Sequence, residues 1–445
     1  MKTESSKKNN GYVNRDPFFI VPKMLYFLLN WLVYSPHSFI FQFTKGVWGL
    51  SSEEINLSFF FQVFNFIGAM FWGYWADKTR KYKLIAAGCV AINTAFVVAM
   101  AFPVFESHSA KLWYYFALTA GQCFFSAGTF PMIDAIVLSI LEADPSAGKD
   151  YYGSQKAFGT VSHNVTTWFI HKFYEMNGQD FLVMYYSAVA TMVALVCAIL
   201  YGVSDNLKIK AHKHHGPAKK ATELDEQVAP EGNSITGLIT NGSFFIFLLS
   251  ILAAGIVRSV NTINHSVYLT DYLKLDKSVL GNLMIIGRMI PELALLFYAK
   301  SIMVKVGPHW FMILGQAAGV VRILLYLLLK PFESGHGLYF GILVIIEMLK
   351  GVNSSLVSAG AFRIASDLAP PAWSGSAQTL VGGFWQGISM AVAAIISKLI
   401  LAYMGDGDDG LYYVFGFTGT LGLISLLFIF FHYAVTDKKL FSKSE

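Results

Sequence analysis

The sequence is short of charge and of cysteine for a chain of 445 residues. Only 14% of its residues are Asp, Glu, Lys or Arg, whereas 55% are hydrophobic, a composition far more apolar than that of water-soluble domains. Its three cysteines, Cys89, Cys123 and Cys197, all lie in apolar stretches, which argues against a disulfide framework or a zinc site. We therefore expect an integral membrane protein with no bound metal and no cofactor.

Long apolar runs are abundant, and they predict twelve transmembrane helices. A hydrocarbon core about 30 Å thick requires about 20 predominantly apolar residues per helix. The predicted spans are 18–43, 55–75, 84–105, 112–141, 153–174, 181–203, 238–269, 279–299, 308–329, 337–366, 375–404 and 410–434. The expected fold class is all-α.

One long polar stretch divides these spans into two sets of six. Residues 204–237, between spans six and seven, are too charged to form a core of their own. We interpret them as a cytoplasmic linker between an N-terminal six-helix bundle, 18–203, and a C-terminal six-helix bundle, 238–434. Residues 1–17 and 435–445 are predicted to be short cytoplasmic tails.

Basic residues indicate on which side of the membrane each loop lies. Residues 1–17 have no features of a cleavable signal peptide. Outside the spans, most of the 33 lysines and arginines fall in segments that share one side when both termini are cytoplasmic. Because cytoplasmic loops collect positive charge, we predict that both termini are cytoplasmic. We also expect the protein in a plasma membrane rather than in an organelle membrane. The net charge of +5 then reflects loop bias and not a nucleic-acid-binding surface.

The connection between spans two and three carries a motif that reads GYWADKTRKYK, from Gly73 to Lys83. Gly73 permits close helix approach, Asp77 can pair with a base or a helix N-terminus, and Arg80 and Lys81 suit the inner membrane surface. The motif resembles the loop signature of the major facilitator superfamily. The resemblance implies a transporter with two six-helix halves and a gating role for this loop.

A narrower resemblance covers spans four and five. FPMIDAIVLSIL followed by YYGSQKAFGTVS is similar to the pattern shared by lactose permease and proton-linked nucleoside symporters, with Pro131, Asp134, Gly153 and Lys156 at the matching places. In lactose permease, the acidic and basic residues at these places hold the substrate. The resemblance implies that Asp134 and Lys156 bind substrate here. Lysine in place of arginine weakens bidentate recognition of a sugar.

The second half continues this resemblance with substitutions. GVVRILLYLLL resembles the segment that carries the proton-coupling arginine of lactose permease, here Arg322, and IIEMLKGVNSS resembles its next helix, here with Glu347 and Lys350. The coupling glutamate of that helix is replaced by a neutral residue. The lactose permease helix that corresponds to span seven carries two aspartates, and this chain has Asn261 and Asn264 in their places. The resemblance therefore implies a central substrate site without the proton route of lactose permease.

Span seven contains the stretch GIVRSVNTINHSVY, which is unusually polar for a membrane helix. Arg258, Asn261 and His265 are three and seven residues apart, a spacing that places all three on one helix face. An ionised residue at mid-bilayer costs about 2.5 to 3.5 kcal/mol and normally faces a cavity or another helix. We predict that this face of span seven lines a substrate cavity.

A count of intramembrane charges indicates the charge of the substrate. The pairs available between acids and bases are Asp134 with Lys156, Arg288 with Glu292, and Glu347 with Lys350. This assignment leaves Arg258 and Arg322 without an acid. Because a carboxylate or phosphate would supply the missing partner, the count favours an anionic substrate.

Other polar or aromatic residues at helical spacing are further candidates for the substrate site, although each is equally suited to an interhelical hydrogen bond. They are Asn30, Tyr34, Gln62, Trp385 and Gln386. Carboxyl groups within the spans are the candidates for proton coupling. These are Glu292, Glu347 and Asp134. Asn56 begins an Asn-Leu-Ser triplet, a glycosylation pattern that we place on the first outer loop.

Together these features predict a monomeric secondary transporter for a small organic anion, such as a nucleotide or another phosphorylated or carboxylated metabolite. The alternative within transport is a proton-coupled symporter of a neutral nucleoside or sugar. An alternative of another class is a facilitator-fold receptor that does not transport. An enzyme is not expected, because no set of nucleophile, base and orienting group and no metal-ligand spacing is present.

Overall fold

The computed structural model describes most of the chain, and every regular element in the described part is a helix. The described residues are 19–37, 39–143, 152–204, 241–275, 280, 282–329, 337–369, 377, 380–405, 408–436 and 440. The central polar segment, which we predict to be a linker, lies almost entirely outside them.

Nine of the helices precede this polar segment. They are α1 (Ile20–Tyr34), α2 (Ile40–Phe43), α3 (Ser52–Ser58), α4 (Val63–Thr79), α5 (Tyr82–Ala99), α6 (His108–Ser126), α7 (Thr129–Ala143), α8 (Tyr152–Met176) and α9 (Leu182–Cys197). Short turns extend three of them: a π-helical turn, Thr44–Trp48, after α2, a 3₁₀ turn, Phe59–Gln62, between α3 and α4, and a π-helical turn, Ala198–Gly202, after α9.

Six helices follow the polar segment, and four of them adjoin a described π-helical turn at one end or the other. The helices are α10 (Gly242–Val267), α11 (Ile290–Val306), α12 (Pro308–Leu328), α13 (Gly337–Leu368), α14 (Ser389–Met404) and α15 (Asp408–Phe431). The π-helical turns are Tyr268–Tyr272 after α10, Met284–Met289 before α11, Gly383–Ile388 before α14 and His432–Thr436 after α15.

Two of the predicted spans are broken in the structure. The first is interrupted after α1, where the Ser35 hydroxyl donates to the Trp31 carbonyl (2.8 Å) and Pro36 follows, a residue that lacks the N–H needed to continue a helix. The fourth is split into α6 and α7 around Gly128. A Cβ at Gly128 would lie 2.9 Å from Trp72 Cγ, so this break lets two helices cross closely.

When α3 is counted together with α4 and α6 together with α7, nine helical segments of the described part are long and apolar enough to cross a membrane, and α1 is a shorter apolar helix. Two other predicted spans, α8 and α11, are not among the nine. The 25-residue α8 carries many polar side chains, and α11 has 17 residues that include Glu292 and two lysines. The prediction of an all-α, multi-pass membrane protein is confirmed. The total of twelve spans and the side of the termini remain predictions.

Helices on either side of the polar segment pack mainly among themselves. Before it, α1 packs on α8 and α9, and α4 and α5 pack on α6; after it, α12 packs on α13 and α15, and α10 on α14 and α15. We call the end of the bundle at the Arg80–Lys81 connection face A and the opposite end face B. Contacts between the two groups join α3 to α14, near face B, and α8 to α11.

Small residues set the closest approaches in the second group. A Cβ at Gly351 of α13 would lie 2.7 Å from the carbonyl oxygen of Arg288, and one at Gly255 of α10 would lie 2.7 Å from Ser389 Cβ. Neither contact leaves room for a methyl group. These two crossings hold the basic residues of α10, α13 and the turn before α11 around the middle of the bundle.

Candidate substrate-binding site

A cavity of about 1740 Å³ lies between the two groups of helices. Its polar lining includes Asn30, Tyr34, His37, Gln62, Asn65, Asp134, Lys156, His163, Arg258, Asn261, His265, Arg288, Arg322, Lys350, Asn353 and Gln386. Every residue predicted to bind substrate is in this lining except Trp385. The cavity is accessible to solvent at Lys156, towards face A, since about half of that side chain is exposed.

Asp134 and Lys156, the acidic and basic residues to which the resemblance gives a role in substrate binding, lie next to each other. Asp134 on α7 accepts a short hydrogen bond from the Tyr26 hydroxyl, and Lys156 Nζ on α8 lies 3.5 Å from Asp134 Oδ2. The predicted pairing of Asp134 with Lys156 is confirmed. Gly159, one turn after Lys156, is packed against Asn30, which allows α8 to approach α1.

Arg258 on α10 is held by a tryptophan and not by an acid. Its Nη2 donates to the Trp385 carbonyl (3.0 Å), and the guanidinium carbon is 4.9 Å from the Trp385 ring centroid, within the range of cation–π attraction. Nε is buried and makes no hydrogen bond. Within the described part of the chain no carboxylate pairs with Arg258, as predicted. Trp385 is itself buried, and its ring packs against the Arg258 guanidinium.

Arg322 has an acidic partner, contrary to the prediction. Its Nη2 lies 2.6 Å from Glu347 Oε1, and the two side chains are 5% and 0% exposed. The Tyr326 hydroxyl donates a short hydrogen bond to the same oxygen, and His265 Nε2 lies 3.0 Å from it. The prediction was wrong because α12 and α13 pack tightly enough to present Glu347 to Arg322 instead of to Lys350.

Lys350 lies one turn after Glu347 and lines the cavity. The structure gives its ammonium no hydrogen bond and no ion pair with any of the described residues. The suggested pair of Lys350 with Glu347 is therefore absent. Arg258 and Arg288 line the same cavity.

Arg288 joins the two groups of helices. Its Nε lies 3.1 Å from Glu292 Oε2, which confirms the predicted pair within one helix. Its Nη1 lies 3.2 Å from His163 Nε2 on α8, and the His163 ring stacks on Tyr34 with centroids 3.3 Å apart. Glu292 and Glu347 each pair with an arginine of the lining, Arg288 and Arg322, and neither glutamate is itself part of the lining.

A hydrogen-bond network in the part of the lining that belongs to the first group of helices includes Ser126, which the sequence did not single out. Asn65 donates a short hydrogen bond to Gln62 Oε1 and accepts one from Ser126 Oγ at 2.9 Å. Ser126 lies at the end of α6, and nothing in the local sequence distinguishes it from the other serines. These neutral side chains line the cavity and can donate or accept hydrogen bonds.

The predicted gating loop has a sharp helix end. Arg80 adopts a left-handed conformation (φ 60°) and its N–H donates to the Ala76 carbonyl at 2.8 Å, which terminates α4. The Lys81 N–H donates to Thr79 Oγ1 at 3.4 Å, and Gly73 contributes to the cavity lining. The side chain of Asp77 lies outside the described part.

Asn56 is not a surface glycosylation site. It is fully buried and its amide donates to Asn264 Oδ1 at 3.2 Å, while the Asn264 amide donates to Ser397 Oγ at 3.1 Å. The triplet prediction was wrong because helix packing, which the triplet does not encode, buries the asparagine. The three side chains link α3, α10 and α14 near face B.

Comparison with known proteins agrees with this architecture. The model of the MFS_1-like family matches residues 20–407. No curated protein matches the chain in sequence. Among solved structures, a mutant of the nucleoside transporter NupG is similar with a TM-score of 0.74 and 16% identity over 95% of this chain and 99% of that one.

Two transporter structures with ligands are also similar in fold. The peptide transporter POT in complex with sulfate has a TM-score of 0.68 and 13% identity over 94% of both chains. A POT family transporter in complex with 5-aminolevulinic acid has a TM-score of 0.67 and 11% identity over 97% of this chain and 99% of that one. With a family match over most of its length, the chain is a multi-pass membrane transporter, not an enzyme, and belongs to the MFS_1-like family of the major facilitator superfamily.

Proposed function

We propose that this chain is a secondary transporter that moves a small organic anion by alternating access. The observation that carries the proposal is Arg258, whose guanidinium borders the cavity with a buried Nε that lacks a hydrogen bond. A guanidinium is always charged, and it gains most from a carboxylate or phosphate oxygen. An anionic substrate would complete this site.

The arrangement of the halves supports alternating access. They meet near face B through α3 and α14, while Lys156, towards face A, is half exposed in the cavity. With the orientation predicted from loop charge, face A is cytoplasmic and this is an inward-open state. Rocking of the two halves about the central site would expose it to face B, with Gly73, Asp77, Arg80 and Lys81 at the moving connection.

The test is ligand-induced thermal stabilisation of the purified protein, because a ligand that binds only the folded state raises the melting temperature. Matched pairs are nucleoside with nucleotide and sugar with sugar phosphate. We expect the charged member of a pair to stabilise the wild type and not Arg258→Gln. Arg363→Gln is the matched control, since that exposed arginine pairs with Asp367 at the end of α13. Stabilisation by the neutral member alone, retained in Arg258→Gln, would reject the anion proposal.

A second candidate is a proton-coupled symporter of a neutral nucleoside or sugar. The observation that favours it is the buried carboxylate of Glu347, which is joined to His265 and Tyr326 beside the cavity. NupG, which has a similar fold, is a nucleoside transporter. This candidate predicts that an inward proton gradient drives uptake of the neutral solute into proteoliposomes and that Glu347→Gln abolishes the effect of the gradient. Uptake that ignores the gradient would exclude it.

A further inference from the structure

The cavity holds more positive than negative charge. Five basic side chains line it, and three of them have a carboxylate partner: Lys156 with Asp134 at 3.5 Å, Arg288 with Glu292 at 3.1 Å and Arg322 with Glu347 at 2.6 Å. The other two are Arg258 and Lys350. In the described part of the molecule, neither has a carboxylate within ion-pair distance.

The two remaining cations differ in how they are held. Arg258 is oriented by the Trp385 ring and carbonyl oxygen, which fixes its fork of donors relative to the cavity. Lys350, on α13, makes no hydrogen bond to the described residues and lines the cavity, so its ammonium is available to a ligand. An added anion would supply the partner that both cations lack.

We propose that the substrate is an organic dianion, whose two negative charges are balanced by Arg258 and Lys350. This inference rests on the proposed function and narrows its substrate class. A phosphate monoester carries close to two charges near neutral pH, and a dicarboxylate carries two. Arg258 offers the bidentate geometry that suits either group, whereas Lys350 acts as an adaptable point charge.

The lining of the cavity suits a substrate that combines a charged group with neutral polar groups. Four of the five basic residues, Arg258, Arg288, Arg322 and Lys350, belong to the second group of helices, and the network of Gln62, Asn65 and Ser126 lies on helices of the first group, which also carries Lys156. These neutral groups suit hydroxyl, amide or ring nitrogen atoms on the rest of the substrate. A volume of about 1740 Å³ leaves ample room for such a molecule.

The experiment compares probes that differ by one charge. Melting temperatures of the full-length protein are measured against sulfate and methyl sulfate, succinate and its monomethyl ester, and adenosine monophosphate, its methyl diester and adenosine. We expect the dianion of a pair to bind at least about tenfold more tightly than the monoanion, the effect of one well-placed ion pair. The phosphate and succinate arms show which source of dianion is the substrate.

Two substitutions test whether Lys350 and Arg258 are the cations that balance the two charges of the dianion. In Lys350→Gln and in Arg258→Gln we expect the preference for the dianion over the monoanion to disappear, while Arg258→Lys, which keeps the charge, retains part of it. Lys305→Gln and Arg363→Gln remove a lysine and an arginine outside the cavity lining and are expected to keep the full preference. Arg258→Lys also guards against a loss that comes only from poor folding of Arg258→Gln.

The outcomes separate this inference from the proposed function. Equal binding of monoanions and dianions to the wild type, or a dianion preference unchanged in Lys350→Gln, would overturn the dianion inference and leave an anion transporter in place. Binding of adenosine as tight as that of its monophosphate would overturn both. A full panel without any stabilisation by a dianion would also count against the inference.

Discussion

Two arginines on neighbouring helices show how local partners decide the role of a residue. Arg322 is buried against Glu347, whose Oε1 is also bound by Tyr326 and His265, and this pair satisfies its charge. Arg258 has only neutral partners in the described structure. Arg322 is therefore suited to hold α12 to α13, and Arg258 is suited to bind a ligand.

The buried Arg322–Glu347 pair makes a prediction about stability. Replacing only Glu347 with Leu leaves a buried unpaired guanidinium, and we expect a loss of about 3–5 kcal/mol in the free energy of unfolding. The double variant Glu347→Leu with Arg322→Met should recover a large part of that loss. Denaturant unfolding of the protein in detergent measures both.

The exposed pair of Arg363 with Asp367 provides the control for that prediction. Its side chains are 63% and 46% exposed, so Asp367→Leu is expected to change stability by no more than about 1 kcal/mol. A double variant no more stable than the Glu347→Leu single variant would show that the pair is not coupled.

Trp385 makes a prediction about ligand affinity. Trp385→Leu removes the ring that lies under Arg258, and the lost cation–π contact of about 0.5–2 kcal/mol should weaken anion binding several-fold. Trp385→Phe keeps an aromatic ring and should lose less. The ligand concentration that gives half-maximal thermal stabilisation measures the effect, and equal losses in the two variants would contradict an aromatic role.

At the level of the helices, hydropathy predicted most elements but not their interruptions. The apolar runs are explicit in the sequence because each must match the thickness of the membrane. The π-helical turns at Met284–Met289 and Gly383–Ile388 are a shift of the hydrogen-bond pattern by one residue, which leaves no trace in hydropathy. Both turns carry residues that shape the cavity.

The site was predicted as well as one-dimensional spacing allows. Helical periodicity correctly placed Arg258, Asn261 and His265 on one cavity-facing side. The partner of Glu347 was not predictable in this way, since Arg322 and Lys350 are both possible and the rotation of α13 against α12 decides between them. That rotation depends on contacts between residues far apart in sequence.

The crossing at Gly351 gives a prediction for the element scale. Gly351→Ala would place a methyl group 2.7 Å from the Arg288 carbonyl oxygen, and we expect a loss of about 1–3 kcal/mol in stability together with reduced anion binding. Gly341→Ala on the same helix meets no atom within 4 Å and should be neutral or slightly stabilising. Thermal unfolding of both variants tests the difference, which should vanish if α13 does not pack closely there.

At the scale of the whole molecule, the hydrogen bond from Asn56 to Asn264 joins the two groups of helices near face B. Asn56→Val removes it, and at about 1 kcal/mol we expect the equilibrium to shift about fivefold towards a state open at face B. In a variant without Cys89, Cys123 and Cys197, labelling of Leu280→Cys by a polar maleimide measures that state, because Leu280 lines the cavity and is buried.

Asn177→Val is the matched control for this change. Asn177, which directly follows α8, donates to the Phe173 carbonyl of that helix, and among the described residues it makes no hydrogen bond between the two groups. It should leave the labelling rate unchanged. The same rate in Asn56→Val and in the control would show that the asparagine contact does not hold face B closed.

The unmatched pair of cations has an electrical consequence for transport. A membrane potential acts on each elementary charge with about 2.3 kcal/mol per 100 mV. When a dianion neutralises Arg258 and Lys350, the loaded carrier moves no net charge of the cavity across the membrane, and the potential acts on it only weakly. The empty carrier moves two positive charges. Voltage should therefore govern the return of the empty protein and leave its loaded passage nearly untouched, so that an imposed potential slows or speeds net uptake but hardly alters one-for-one exchange.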